Sequence, residues 1–146
     1  MSHIRARIRQ KVVAALEAIE GLTVFDSFGL TLTDAELPAI SIVTNQENAG
    51  QVVMRTIGSD PIDVDLRLIV SLYVRGDSSV LQADNICAEI QKIIYQNPKW
   101  DGLAKCTDYV GFTQDLLREG DGTHAAITLE FNINYVASAS DFTTSL

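Results

Sequence analysis

The most regular pattern in the chain is an alternation of apolar and polar positions from Ile62 to Val74. Every even position in this stretch is apolar, whereas most odd positions are polar or charged. Successive side chains of a β-strand point to opposite faces of the sheet, so this period predicts one long strand with a core face and a largely polar face.

Two other segments repeat their apolar residues at helical spacing. The first runs from Ser2 to Glu20 and is followed by Gly21, a common residue at helix ends. The second runs from Ser79 to Gln96; it opens with a Ser-x-x-Gln capping-box pattern and stops before Asn97-Pro98, which disfavours helix. Two amphipathic helices are therefore expected.

Shorter β-patterns occupy much of the remaining chain. They predict strands at residues 22–28, at 38–44 after an opening proline, and in a closing hairpin formed by 106–117 and 125–135. The Glu-Gly-Asp-Gly sequence at 119–122 supplies the turn of that hairpin.

The order of these elements predicts an α+β fold: a mostly antiparallel or mixed sheet, packed on one face by the two helices, with the long strand and the C-terminal hairpin in it. Residues 1–137 are expected to form a single domain and residues 138–146 a flexible tail. Neither Cys87 nor Cys106 has a partner at metal-ligand spacing, so both are expected to be buried or partly buried thiols.

Charge and hydropathy exclude some classes of partner. The net charge is −8, but residues 1–20 carry +2, so the remaining chain carries −10. An acidic body of this kind argues against nucleic acid as the main ligand. No apolar run is long enough to cross a bilayer and no signal peptide is visible, which predicts a protein of the cytoplasm with no membrane partner.

The search for catalytic chemistry yields little. His3 and His124 have no ligand at metal-binding spacing, and no serine lies in a Gly-x-Ser-x-Gly motif. Asp63 and Asp65 share one face of the long strand, where Arg67 would neutralise them, so a charged ladder is favoured over a catalytic pair. The prediction is a protein that is not an enzyme and that has no metal or cofactor.

Several residues are candidates for contact with other subunits or partners. Residues 51–57, between Gly50 and Gly58, form either a strand or a mobile arm that becomes ordered on a neighbour. One flank of the first helix is basic, and it is either a solvated face or a contact with an acidic partner. The candidate interface residues are Arg5, Arg9, Val52, Met54, Arg55, Ile57, Asp63, Asp65, Arg67 and Tyr73.

Four features of the chain follow one another in an order that is also found in a known protein family. An opening helix precedes Val24-Phe25-Asp26, and the acidic segment 34–36 leads into Leu37-Pro38-Ala39-Ile40, with Glu47 after it. The long strand leads through a short polar loop to the second helix, and the closing hairpin ends in Leu-x-Phe-x-Ile-x-Tyr at 129–135. In this layout the chain resembles the tail terminator proteins of long-tailed bacteriophages, the minor tail protein U family. It departs from them in its longer segment at 48–61.

The resemblance implies a structural virion protein, assembled in the host cytoplasm and located at the head-proximal end of the tail. Proteins of this family form a ring, usually hexameric, that caps the tail tube, ends its polymerisation and provides the surface for head joining. The implied partners are further copies of the chain, the tail tube protein and head-tail connector proteins, with DNA passing through the ring without sequence recognition. Two alternatives stay open: another head-tail joining or tail completion protein, and a small-molecule-binding domain or enzyme that uses Asp63, Asp65 and Tyr73.

Overall fold

The computed structural model describes residues 2–26, 37–52, 60–75, 80–119 and 122–146, with side chains except at 51–52, 116–119 and 122–124. Two helices and six strands lie in these ranges. They are α1 (Ile4–Leu16), β1 (Thr23–Phe25), β2 (Ala39–Val52), β3 (Pro61–Arg75), α2 (Val80–Tyr95), β4 (Cys106–Glu119), β5 (Gly122–Ser138) and β6 (Asp141–Ser145).

The described strands form one mixed sheet in the order β1-β2-β3-β5-β4, with β6 also paired to β5. β1 runs parallel to β2, and the other pairs are antiparallel. The predicted α+β class with a mixed sheet and two helices is confirmed.

The predicted long strand is β3, and its alternation is the one that the sequence indicates. The apolar side chains at positions 64 to 74 are buried in one core together with residues of both helices. α1 contributes Ile4, Ile8, Val12 and Leu16, which lie at 0% exposure. Both helices therefore cover the same face of the sheet, and each buried Leu or Ile contributes roughly 1.5–3 kcal/mol to folding.

β2 is longer than the strand predicted at 38–44. The polar residues that follow Thr44 continue to pair with β3 after a register shift between Thr44 and Gln46, and pairing extends to Val52 opposite Ile62. The long partner strand supplies backbone hydrogen bonds to a segment whose own side chains carry little β signal. Residues 51–52 of the predicted arm thus belong to β2, and residues 53–57 lie outside the described residues.

The flexible tail predicted at 138–146 contains strand β6 instead. β4 begins at Cys106, opposite Asn134, so it leaves the last residues of β5 without a partner on that side, and β6 pairs with them. Asp141 forms the preceding turn: its carboxylate accepts hydrogen bonds from the Thr143 N–H at 2.9 Å and the Thr143 hydroxyl at 2.6 Å. Phe142 then packs against the core.

No helix within the described ranges is long and apolar enough to span a bilayer.

Candidate functional site

The polar face of the long strand bears an alternating ladder of carboxylates and amides. Asn134 of β5 donates to Asp63 at 3.0 Å and to Asp65 at 3.1 Å, and Asn132 donates to Asp65 at 3.3 Å. We call the surface formed by the odd positions of β3 and the even positions of β5 the open face, because both described helices lie on the other side. The two aspartates are thus held by amide donors of the neighbouring strand.

Arg67 does not neutralise these aspartates as the sequence suggested. Its guanidinium contacts the Glu130 carboxylate at 2.8 Å and the Gln46 side-chain oxygen at 3.5 Å. Gln46 lies directly opposite Arg67 on β2, whereas Glu130 is its diagonal neighbour on β5, which a long side chain can reach. Arg67 therefore pairs with residues of the two neighbouring strands and not with the aspartates of its own strand.

The polar cleft suggested as an alternative does not come together. Tyr73 shares the open face with Asp63 and Asp65, but it is eight positions from Asp65 along the strand, a distance of roughly 26 Å at about 3.3 Å per residue. A shallow depression of about 360 Å³ does lie beside Asp65 and Arg67, next to Gln46 and Asn48. Among the described residues, no group of three histidine, cysteine or carboxylate side chains is placed to hold a metal ion.

Two edges of the sheet have no strand partner in the described part of the chain. The first, which we call the β4 edge, is the outer side of residues 106–115. The second, the β2 edge, is the outer side of residues 43–50, where β1 no longer pairs with β2. Most residues of both edges are exposed.

The β4 edge carries three exposed apolar side chains. Tyr109 is 48% exposed, Val110 59% and Phe112 64%. On its helix side a groove of about 390 Å³ runs between β4 and α2, lined in part by Lys92, Tyr95 and Tyr109. Long exposed apolar edges are uncommon on proteins that act alone.

The basic residues of α1 are paired within the chain. Arg5 contacts Glu47 at 3.2 Å and Arg9 donates to the Thr44 hydroxyl at 3.3 Å, both on β2. On the other flank, Arg7 donates to the Thr143 carbonyl oxygen and Lys11 contacts the Asp101 carboxylate. Neither flank of the helix is therefore simply solvated, although one nitrogen of the Arg9 guanidinium, Nε, is buried without a partner.

Glu47 anchors a polar cluster beneath the start of α1. It accepts a short hydrogen bond from the buried Tyr135 hydroxyl, and burial together with this bond raises the pKa of Tyr135. His3 caps the helix, since its Nδ1 accepts from the Arg5 N–H at 3.1 Å. Burial, and then the positive charge of Arg5, lower the pKa of His3.

The cysteines differ from one another. Cys87 is buried as expected, and burial, with a contribution from Asp84, raises the pKa of its thiol to about 11. Cys106 is exposed, contrary to the expectation, because it opens an edge strand that nothing described covers. Its thiol faces Asp108 at 4.0 Å.

The predicted interface residues fall into separate groups. Asp63, Asp65 and Arg67 lie together on the open face, whereas Arg5 and Arg9 lie over β2 on the helix side. Val52 is placed by its backbone alone, and Met54, Arg55 and Ile57 lie outside the described residues.

Sequence reasoning missed the apolar residues of the β4 edge. Their alternation is weak, and only the strand order places β4 at the rim of the sheet.

No protein-family model matches the chain, and no curated protein is similar to it at a significant level.

Proposed function

We propose that this chain is a structural protein of a long-tailed bacteriophage, which forms a ring that caps the tail tube, ends its polymerisation and provides the surface for head joining. The observation that carries the proposal is the distribution of the helices. Both pack on one face of a long-stranded sheet, so within the described ranges the other face and two sheet edges are left for neighbours. A closed ring needs two different complementary surfaces on each subunit, and the two edges fit that need.

The order of the described elements supports the same proposal. α1 is followed by β1, β2 and the long β3, then by α2 and by the hairpin of β4 and β5. This is the order on which the resemblance rests. The charged ladder of the open face suits a surface that lines a channel or meets another subunit, because its carboxylates are exposed or half-buried rather than enclosed in a cleft.

Tail length measured by electron microscopy tests the proposal. Virus particles assembled without the chain should have tails longer than normal and lacking heads, because nothing ends polymerisation, and supplying the chain from a plasmid should restore both features. Joined tails of normal length in its absence would refute the capping function. Headless tails of normal length would instead indicate a head-tail joining protein.

A further inference from the structure

The outer strand β4 changes the phase of its alternation part-way along its length. Its register on β5 shifts between Tyr109 and Gly111, where a β-bulge adds one residue. Before the bulge, odd positions point to the side of the sheet that carries the helices; after it, even positions do so, because the extra residue reverses the alternation. Val110 and Gly111, at the bulge, both lie on the open face.

This change of phase makes the β4 edge complementary to itself. Directly opposed residues of an antiparallel pair point to the same face of the sheet. When a twofold axis passes between Val110 and Gly111, every residue before the axis lies opposite a residue of the same face from the second copy. Every other twofold register that spans the bulge opposes at least one residue to a residue of the other face.

We propose that two copies of this chain join through their β4 edges about a twofold axis between Val110 and Gly111, so that their sheets become continuous. The contact fills the outer side of residues 106–115, which have no strand partner within the described ranges. Such an edge is a ready template for strand addition. The opposed pairs, each occurring twice, are Cys106 with Asp115, Thr107 with Gln114, Asp108 with Thr113, Tyr109 with Phe112, and Val110 with Gly111.

The helix side of the boundary gains a row of aromatic rings. Within one copy, Tyr109 packs on Phe131, and the ring centroids are 5.6 Å apart. The twofold axis places Phe112 of the second copy directly opposite Tyr109, and aromatic cross-strand pairs stabilise a sheet. Phe112 is 64% exposed in the single subunit, so the pairing removes apolar surface from water.

The groove beside α2 shows why Phe112 is uncovered in one copy and can be covered in two. The β4 residues that line this groove of about 390 Å³ are Thr107 and Tyr109, which come before the bulge. The twofold axis brings the part of β4 after the bulge, which lies beyond that groove, beside the part that lines it. Phe112 of one copy then lies next to the groove of the other, where α2 contributes Lys92 and Tyr95.

The charges of the edge permit this pairing. Asp108 lies opposite Thr113 and Asp115 lies opposite Cys106, so no like charges are directly opposed, which would destabilise the sheet. The two aspartates become diagonal neighbours across the boundary, roughly 7–8 Å apart, where physiological salt partly screens their repulsion.

The outer side of β4 has room for a second strand. Before Cys106 the chain turns to the helix side, because Leu103 and Ala104 are buried in the core there. No described strand therefore lies beside the residues that follow Asp115 in the second copy.

The dimer goes beyond the proposed function, since it concerns the chain before it reaches a tail. A twofold contact uses the same surface of both copies and closes after two, so it cannot extend into a ring. A subunit must therefore leave the dimer before its β4 edge can join a ring. Until then, the dimer protects this edge from pairing with other strands.

Disulfide cross-linking tests the register. With Asp115→Cys, mild oxidation by diamide should join the new thiol to the native, exposed Cys106 of the second copy. Directly opposed residues have Cβ atoms roughly 4.5–5.5 Å apart, near disulfide range. A non-reducing gel should show dimers and nothing larger, since both disulfides close the same pair. The two thiols of one copy cannot join, because they lie roughly 30 Å apart along one strand at about 3.3 Å per residue.

Two matched variants serve as controls. Adding Cys106→Ser to Asp115→Cys should abolish the dimer band. Gln114→Cys moves the new thiol by one residue to the helix side, so it should not join Cys106. Buried Cys87, with its raised thiol pKa, should not react. Equal cross-linking from positions 114 and 115, or a ladder of trimers and larger species, would overturn the twofold register.

A pair of lysine substitutions tests the contact without a cross-link. Val110 lies beside the axis, so Val110→Lys brings two positive charges together and should raise the dissociation constant of the dimer in sedimentation equilibrium by about tenfold or more. Val80→Lys, at a site 65% exposed on α2, should leave that constant unchanged. Equal constants in the two variants would overturn the contact. So would a wild-type chain that stays monomeric and an Asp115→Cys variant that does not cross-link, which would leave the edge to a strand of another protein. Tail length judges the capping function separately from all of these results.

Discussion

At the scale of single residues, Glu47 is the unusual member of the core face. It lies opposite Leu66, on the side of the sheet that the helices cover, yet it is a carboxylate. Two partners make the position tolerable: the Tyr135 hydroxyl donates to one of its oxygens and the Arg5 guanidinium to the other. A buried polar group with partners on both sides costs far less than an unpaired one.

Removing the Tyr135 hydroxyl should show how much its hydrogen bond to Glu47 contributes to the stability of the fold. Tyr135→Phe leaves one Glu47 oxygen without its donor, so the free energy of unfolding in urea should fall by about 1–2 kcal/mol. Tyr109→Phe is the control, because its ring is 48% exposed, and it should change stability by less than about 0.5 kcal/mol. Equal losses in the two variants would contradict this role for Glu47.

His3 should make the start of α1 sensitive to pH. Its neutral Nδ1 accepts the Arg5 N–H, and burial and Arg5 hold the pKa of His3 below its ordinary value of 6.5. The unfolded chain therefore takes up this proton first as pH falls, so the contribution is present above about pH 6.5 and is lost as pH falls through the lower folded pKa. His3→Asn keeps a capping side chain that does not titrate and should show a smaller fall in Tm between pH 7.5 and 5 than the wild type. The same fall in both proteins would exclude His3 as its cause.

At the scale of elements, β6 shows how a weak local pattern becomes a strand. Its residues carry little apolar periodicity, but β5 extends beyond β4 and offers unpaired backbone groups there. The Asp141 turn reverses the chain, and contacts with Thr143 and Thr144 lower the pKa of its carboxylate. Phe142 then reaches the core and lies 5.5 Å from the His3 ring.

Phe142→Ala should consequently destabilise the fold. The side chain packs against the core although it is not fully buried, so a loss of about 1–2 kcal/mol is expected in chemical denaturation. The matched change Phe112→Ala removes a ring that is 64% exposed and should cost clearly less. A larger loss at Phe112 than at Phe142 would mean that β6 contributes little to the fold.

At the scale of the whole molecule, we expect the open face to lie near a subunit boundary or to line the channel of the proposed ring. Asp65 lies in the middle of its ladder, exposed and bonded to two asparagines. Its neighbour Arg67 lies on the same face, so a positive charge at position 65 would lie beside a like charge and would leave the Asn132 amide without its acceptor.

Asp65→Lys should therefore alter assembly while leaving the subunit folded. The far-UV circular dichroism spectrum should be unchanged, whereas light scattering should show a lower assembled mass at equal protein concentration. Glu89→Lys makes the same charge reversal on the exposed surface of α2 and should assemble normally. Normal assembly of Asp65→Lys, in solution and on tails, would show that this face lies away from subunit boundaries.

The sequence predicted those elements whose burial is regular. The alternation at 62–74 and the helical spacing of residues such as Ile4, Ile8 and Val12 follow from one buried face per element, and that signal is local. It gave the α+β class, the two helices, the long strand and the hairpin. The ends of the elements were less well predicted. α1 ends at Leu16 and not at Glu20, and β2 continues past residue 44 to Val52 because its backbone pairs with β3.

The sequence by itself determined which face of each long element is buried, because the period of apolar residues is fixed by backbone geometry alone. Only the tertiary structure decided which strands are neighbours, since strand order depends on contacts between residues far apart in the chain. That order places β4 at the rim with its apolar residues exposed, puts Asn134 beside the Asp63 and Asp65 pair, and gives β6 its partner. It also brings Glu47 to Tyr135 across 88 residues, a pairing that no local pattern encodes.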